Sequence, residues 1–276
     1  MLRNLKDMDD FEIKATDGTI GQIKDFYFDD DTWTVRYLVV ETGSWLDTRM
    51  VLISPIAVRR PDWSARTLPV SLTLQQVQNS PAIETDKPVS RQNEESYLGY
   101  YGYPTYWGGD ALWGAGMVPY AMDPTVGVYT GYGKDSAERE RDLQDFLRDE
   151  RARHRNDDPH LRSCAAVSGY HIHATDGDIG HVAGYLADDD SWALRYLIVN
   201  TSNWWMGHQV LVAPRWITGV HWTDHTVSVD LTREAIKSAP AYDATQEWTP
   251  DLDVNLQRHY ASTAHRGAAA PPEREI

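Results

Sequence analysis

The sequence predicts a mainly β protein made of two small tandem β-barrels, with short flanking helices and a helical linker. Three observations carry that expectation. Shifted by 159 positions, residues 2–83 lie on residues 161–242 without a gap, and 29 of the 82 pairs are identical. Each copy breaks into short runs of apolar and β-branched residues bounded by turn residues, the pattern of a closed or nearly closed all-β domain. The repeat also exceeds the period of about 20–50 residues typical of solenoid units, so each copy reads as a whole domain. The expected domains are copy one over 1–83, an aromatic and Gly-rich segment with a charged helical connector over 84–159, copy two over 160–245, and a C-terminal helix and tail over 246–276.

In copy one, Phe11–Ala15 alternates as a strand. Asp17-Gly18 then supplies a tight turn, because glycine tolerates positive φ. Ile20–Phe28 reads as a second strand, the triplet Asp29-Asp30-Asp31 turns the chain, and Thr34–Glu41 runs back. Met50–Ile53, Ile56–Arg59 and Thr67–Ser71 complete about six strands in the expected plan. Thr73 and Gln76 have the spacing of a capping box, so a short helix closes the copy. Thr232 repeats the cap in copy two without the box partner. A second helix is expected after each copy, over Arg91–Tyr101 behind Ser90 and from Pro250 behind Thr249. Residues 97–133 are dense in Tyr, Trp, Gly and Pro, Asp135–Arg155 reads as a charged helix, and His265–Ile276 as a disordered tail.

The formal net charge is −15, which disfavours a nucleic-acid backbone or an anionic membrane surface as partner. Cys164 is the only cysteine, so no intrachain disulfide forms and a reducing, cytoplasmic setting is expected. No run reaches the 18 or more apolar residues of a membrane helix.

The residues Gly169-Tyr170-x-Ile172-x-Ala174-Thr175-Asp176-Gly177-x-Ile179-Gly180, then Asp188-Asp189-x-x-Trp192-x-x-Arg195-Tyr196-Leu197, Asn203-Trp204-Trp205 and Val210-Leu211-Val212-x-Pro214-x-Trp216, resemble the PRC-barrel family. That family includes the cytoplasmic domain of the photosynthetic reaction-centre H subunit and the C-terminal barrel of a ribosome-maturation factor. With copy one, the resemblance covers over half the chain. It is nearest to stand-alone bacterial members, in which a segment like Tyr100-Tyr101-Gly102-x-Pro104-x-Tyr106-Trp107 follows the barrel. The resemblance implies a PRC-type fold and docking onto other proteins. The H subunit's N-terminal membrane helix has no counterpart here, nor has the maturation factor's N-terminal domain, and copy one is the more degenerate.

Candidate sites each have a structural alternative. Asp29-Asp30-Asp31 and its twin offer carboxylates to a cation, but three successive carboxylates on one turn are not expected to face one ion, and a hairpin turn is preferred. His171 and His173, two apart on a strand, share a face, and with His181 they are candidates for Zn²⁺ or Cu²⁺. The preferred reading is a polar outer face and no metal. Arg36 and Arg195 suit an anionic ligand, yet an ion pair with Asp17, Asp176 or the Asp triplet is favoured. Trp33 and Trp192 are expected core anchors, and Cys164 a small buried hydrophobe, like its equivalent Leu5. Trp45, Trp204 and Trp205 are candidates for contact between the barrels, and Trp107 and Trp113 for interaction, although wrapping of 97–133 over a barrel is preferred.

No nucleophile, phosphate loop or dinucleotide motif is present. The expected function is therefore non-enzymatic and without cofactor: an adaptor for another protein, neither binding nucleic acid nor inserting in a membrane. It is an intramolecular pseudo-dimer with a homodimer as a further option. The rival expectation is a sensor of metal or a small ligand in a groove between barrels.

Overall fold

Six strands recur at matching positions in the two repeats, and the second repeat has one more, over Ile217–His221. The first gives β1 (Leu2–Asn4), a 3₁₀ turn over Leu5–Met8, β2 (Glu12–Ala15), β3 (Gly18–Asp29), β4 (Thr34–Thr42), β5 (Met50–Ile53), β6 (Thr67–Pro69) and helix α1 (Leu74–Gln78). Helix α2 (Arg91–Tyr101) follows. The second gives β7 (Leu161–Ser163), α3 (Cys164–Val167), β8 (His171–Ala174), β9 (Gly177–Asp188), β10 (Leu194–Asn200), β11 (Gln209–Val212), β12 (Ile217–His221), β13 (Thr226–Val229), α4 (Arg233–Lys237) and α5 (Pro250–Ala264). The structure is a computed structural model, and it describes residues 1–43, 46, 48–81, 91–107, 111–114, 116–122, 161–201, 208–246 and 248–264. The expected helix over 135–155, the tail from 265, the Ser90 cap and residues 123–133 lie outside the described residues.

The shared block Ala-Thr-Asp-Gly-x-Ile-Gly is explained residue by residue. Thr16 and Thr175 each hold a backbone carbonyl twice, with N–H and Oγ1, at Leu72 and Leu231. Asp17 Oδ1 accepts from Leu74 N at 2.8 Å and Asp176 Oδ1 from Arg233 N at 2.7 Å, so each turn satisfies a free N–H at the start of the closing helix. Gly21 and Gly180 lie so close to the neighbouring strand that a Cβ would sit 1.9 Å from Glu41 O and 1.7 Å from Asn200 O. Only glycine fits there. The caps form as the spacing predicts. Thr73 and Gln76 make the reciprocal box, and Thr232 Oγ1 accepts from Ala235 N at 3.1 Å.

One expected element differs. Ile56–Arg59 is not a strand. The chain makes a 3₁₀ turn over Pro55–Ala57, with Ser54 Oγ accepting from Ile56 N. Pro55 fixes φ at the first helical position and has no N–H to give a ladder, which tips the balance against extended structure. Copy two turns likewise over Pro214–Trp216 before β12.

The fold is mainly β, with two mixed sheets. One runs β5-β4-β3-β2-β6 with β7 added on β3. The other runs β11-β10-β9-β8-β13-β12 with β1 added on β9. β2–β6 and β8–β13 are the parallel pairs. No closed barrel is found among the described residues. The additions are reciprocal: β1 of the first repeat pairs with β9 (Leu2↔Asp188), and β7 of the second pairs with β3 (Asp29↔Leu161). The compact units follow this exchange rather than the repeat. One holds Met1–Asp7, Cys164–Asp189 and Leu194–Ile276. The other holds Met8–Ser163 and Asp190–Ala193. Within the latter, the equivalent positions Thr34 and Ala193 bridge each other, and Val35 N donates to Trp192 O at 2.9 Å.

The cores are built from matching positions. Ile13, Leu38, Val40, Ile53 and Leu68 are fully buried, as are Ile172, Leu197, Val199, Val212 and Val227. At roughly 25 cal/mol per Å² of apolar surface, such strips supply most of the drive to fold. The tryptophans after the acidic turns share a left-handed backbone, with φ 51° at Trp33 and 61° at Trp192. Their environments differ: Trp192 is buried, whereas Trp33 is half-buried and stacks on Phe28 at 5.2 Å. Cys164 and Leu5 are both buried. No helix among the described residues is long and apolar enough to cross a membrane.

Candidate functional site

The densest polar chemistry is a buried cluster on β4 in the unit spanning Met8–Ser163. Arg36 and Tyr37 are adjacent in β4 between the apolar Val35 and Leu38–Val40, and both are fully buried. A guanidinium removed from water is tolerated only with compensating partners. Arg36 donates to Leu112 O at 2.6 Å and Thr32 Oγ1 at 2.9 Å, and meets Asp29 Oδ2 at 3.4 Å. Its Cζ lies 3.8 Å from the centroid of Tyr106 and 4.7 Å from that of Trp113, two cation–π contacts in a desolvated setting. Its Nε has no hydrogen-bond partner among the described residues. The expected ion pair of Arg36 thus forms with the Asp triplet. Arg195, at the equivalent place on β10, is exposed.

Beside Arg36, the hydroxyls of Tyr37 and Tyr106 both donate to Glu94 Oε2 of α2, the former at 3.4 Å. Glu94 is itself buried. Burial, and next the nearby Glu94 charge, push the Tyr37 hydroxyl well above its ordinary pKa, so it stays a proton donor. The arrangement ties β4 and α2 to Tyr106, Leu112 and Trp113. It leaves both terminal nitrogens of Arg36 engaged and the guanidinium buried under aromatic rings rather than open to an anion.

Copy two has a simpler counterpart. Tyr196 OH donates to Asp253 on α5. Burial, then the hydrogen bond to that carboxylate, raises its pKa. The helices are held alike in both copies: Tyr97 OH donates to Leu52 O at 2.9 Å and Tyr260 OH to Leu211 O at 2.8 Å. Sequence reading missed these tyrosines and carboxylates. The gapless spacing of 159 does pair Tyr37 with Tyr196 and Glu94 with Asp253, but it places Leu256 opposite Tyr97, so the Tyr97–Tyr260 equivalence appears only if a gap is allowed.

Asp29, Asp30 and Asp31 do converge, contrary to the expectation for three successive carboxylates: their oxygens lie within 4.8 Å of one another. The turn backbone curls tightly enough to gather them, since Asp29 Oδ1 accepts from both Asp31 N and Thr32 N. Two are already engaged with cations, Asp29 with Arg36 and Asp30 with Arg162 Nε at 2.8 Å. His171 and His173 project from the outer face of β8, with His181 half-buried on β9. Trp113 is fully buried, and its Nε1 donates to Ser191 O at 2.8 Å. Trp107 is half-buried and packs edge-on against Tyr106. In the described part of 97–133, Tyr97, Tyr103, Tyr106 and Trp113 are core, which favours wrapping. Trp45, Trp204 and Trp205 lie outside the described residues.

No protein-family model matches the chain, and no curated protein matches it.

Proposed function

We propose that the chain is a tandem PRC-barrel adaptor: a non-enzymatic, cytoplasmic module, descended from a fused homodimer, that docks onto a larger protein assembly. The observation that carries this reading is where the repeated residues are spent. Thr16, Asp17 and Gly21, and their twins Thr175, Asp176 and Gly180, hold turns, helix starts and close strand approaches. The buried Arg36–Glu94 cluster is likewise occupied by internal partners. What is left for function is surface. In the aromatic segment, Tyr100, Met117 and Tyr120 stay largely exposed while their neighbours are core. Tyrosine and methionine are enriched at protein interfaces. The exchange of β1 and β7, and the pairing of Thr34 with its own equivalent Ala193, support descent from a two-fold dimer.

The test is in-cell cross-linking of the full chain followed by mass spectrometry, alongside a Met117→Ser, Tyr120→Ala variant. A stoichiometric protein partner lost in the variant is expected. Recovery of no partner, together with a small molecule retained through native mass spectrometry, would replace the adaptor by a ligand sensor.

A further inference from the structure

Four positions on one sheet face change together between the repeats. In copy one, Glu12 pairs across the strands with Gln22, and Lys14 with Thr19. These make ordinary surface polar contacts: Lys14 Nζ lies 2.8 Å from Glu12 and 2.9 Å from Thr19. In copy two the same backbone register sets His171 opposite His181 and His173 opposite Asp178. Every side chain of the quartet is now a metal-ligand type. His171, His173 and Asp178 are exposed and His181 is half-buried, while Ile172, Ile179 and Val182 between them are buried, so the four share the outer face.

We infer that this face of β8 and β9 is a binding site for a nitrogen-preferring divalent transition cation, Zn²⁺ or Cu²⁺, with His171, His173 and His181 as ligands. Residues two apart on a strand are separated by about 6.6–6.8 Å. Directly paired residues on adjacent strands hold their Cβ atoms about 4.5–5.5 Å apart. Imidazoles on such a triangle reach one ion at the usual metal–nitrogen distance of about 2.0–2.1 Å. The strand register helps. A bulge falls between the His171 and His173 pairs, with Gly180 at φ 70° beside it. That extra residue allows Asp178 and His181, three apart in sequence, to emerge on one side.

Asp178 takes the orienting role. Its Oδ1 lies 2.6 Å from His173 Nδ1. A carboxylate on one ring nitrogen fixes the tautomer and leaves Nε2 as the ligand, an arrangement common around metal-binding histidines. Without an ion the three rings are not gathered as the Asp29–Asp31 oxygens are. Rotation of the exposed His171 and His173 between staggered positions would close them with the half-buried His181 on one ion. A fourth position is left to water, as in open three-ligand sites.

The experiment is calorimetric titration of the full chain with ZnCl₂ and CuCl₂ in a non-chelating buffer. A His171→Gln, His181→Gln variant and Asp178→Asn are titrated in parallel, and their unchanged melting temperatures verify the fold. One site with Cu²⁺ tighter than Zn²⁺ is expected. The double variant should bind at least ~10-fold more weakly, and Asp178→Asn about 10-fold more weakly. A complementary variant, Glu12→His, Lys14→His, Gln22→His, should raise the stoichiometry to two. Wild-type chain that binds neither ion, or a double variant of unchanged affinity, would overturn the assignment.

Discussion

Arg36 and Arg195 occupy one position of one repeated strand and live in opposite environments. Arg36 is buried among Tyr106, Trp113, Thr32 and Asp29, whereas Arg195 faces solvent. The strand does not decide this. Tyr106, Leu112 and Trp113 do, by supplying two aromatic faces and a backbone carbonyl to Arg36. Identity between repeats therefore marks the fold, and environment marks what each copy has become. Copy one covers its arginine with Tyr106 and Trp113, and copy two carries histidines at three positions where copy one has Glu12, Lys14 and Gln22.

The sharpest way to break that comparison is to remove the two arginines. Arg36→Ala strands the buried Asp29 carboxylate and empties a packed site, for an expected loss of about 3–5 kcal/mol. Arg195→Ala should stay within about 0.5 kcal/mol. Urea denaturation of both variants measures the difference, and equal effects would erase the distinction.

The tryptophans give the next contrast. Trp192→Ala removes a buried ring and should cost about 3–5 kcal/mol. Trp33→Ala, at a half-buried ring, should cost roughly half as much by the area rule. Because Trp192 O accepts from Val35 N, the damage should appear first as faster hydrogen exchange in β4.

Gly21→Ala and Gly180→Ala should instead both be costly. Each sets a methyl against a backbone carbonyl, at an expected cost of about 3 kcal/mol or more. The penalty at Gly180 should be greater by about 1 kcal/mol, because its φ of 70° is left-handed. Thermal melts of the pair test the ranking.

The smallest effect concerns acid. The Asp176 carboxyl lies below its ordinary pKa, first through the Arg233 backbone hydrogen bond and then through the Arg233 charge. A lowered folded-state pKa gives stability that is present above the unfolded value and is lost as pH falls through the folded one. The start of α4 should loosen below about pH 4, followed by the Arg233 amide signal in NMR. Asp176→Asn should flatten that dependence.

Much of the fold was legible. The Asp-Gly turn, the period-two strands and the Thr73–Gln76 box are local signals, and β5 and α2 fall where the pattern sets them. Ile56–Arg59 misled because its β-branched residues look like a strand, while Pro55 and Ser54 favour a turn. The burial of Arg36 was not legible, since its carbonyl partner Leu112 lies 76 positions away. Strand exchange was hidden for a different reason. β1 and β7 both begin Leu-Arg, so their pattern does not say which copy's strand receives each. The histidine face was visible as spacing, but the pairing of His171 with His181 needed the register.

That exchange sets a timetable for synthesis. Arg3 meets Asp189, 186 positions later in the chain. At about 5–20 residues per second, β1 waits on the ribosome roughly 10–40 s for the strand that receives it. β7 finds β3 already made. During the wait β1 is an unpaired strand beside other nascent chains, and open edges accept any strand of matching pattern. Two chains made on one message can therefore trade first strands, and the same contacts that close a monomer would then close a swapped homodimer.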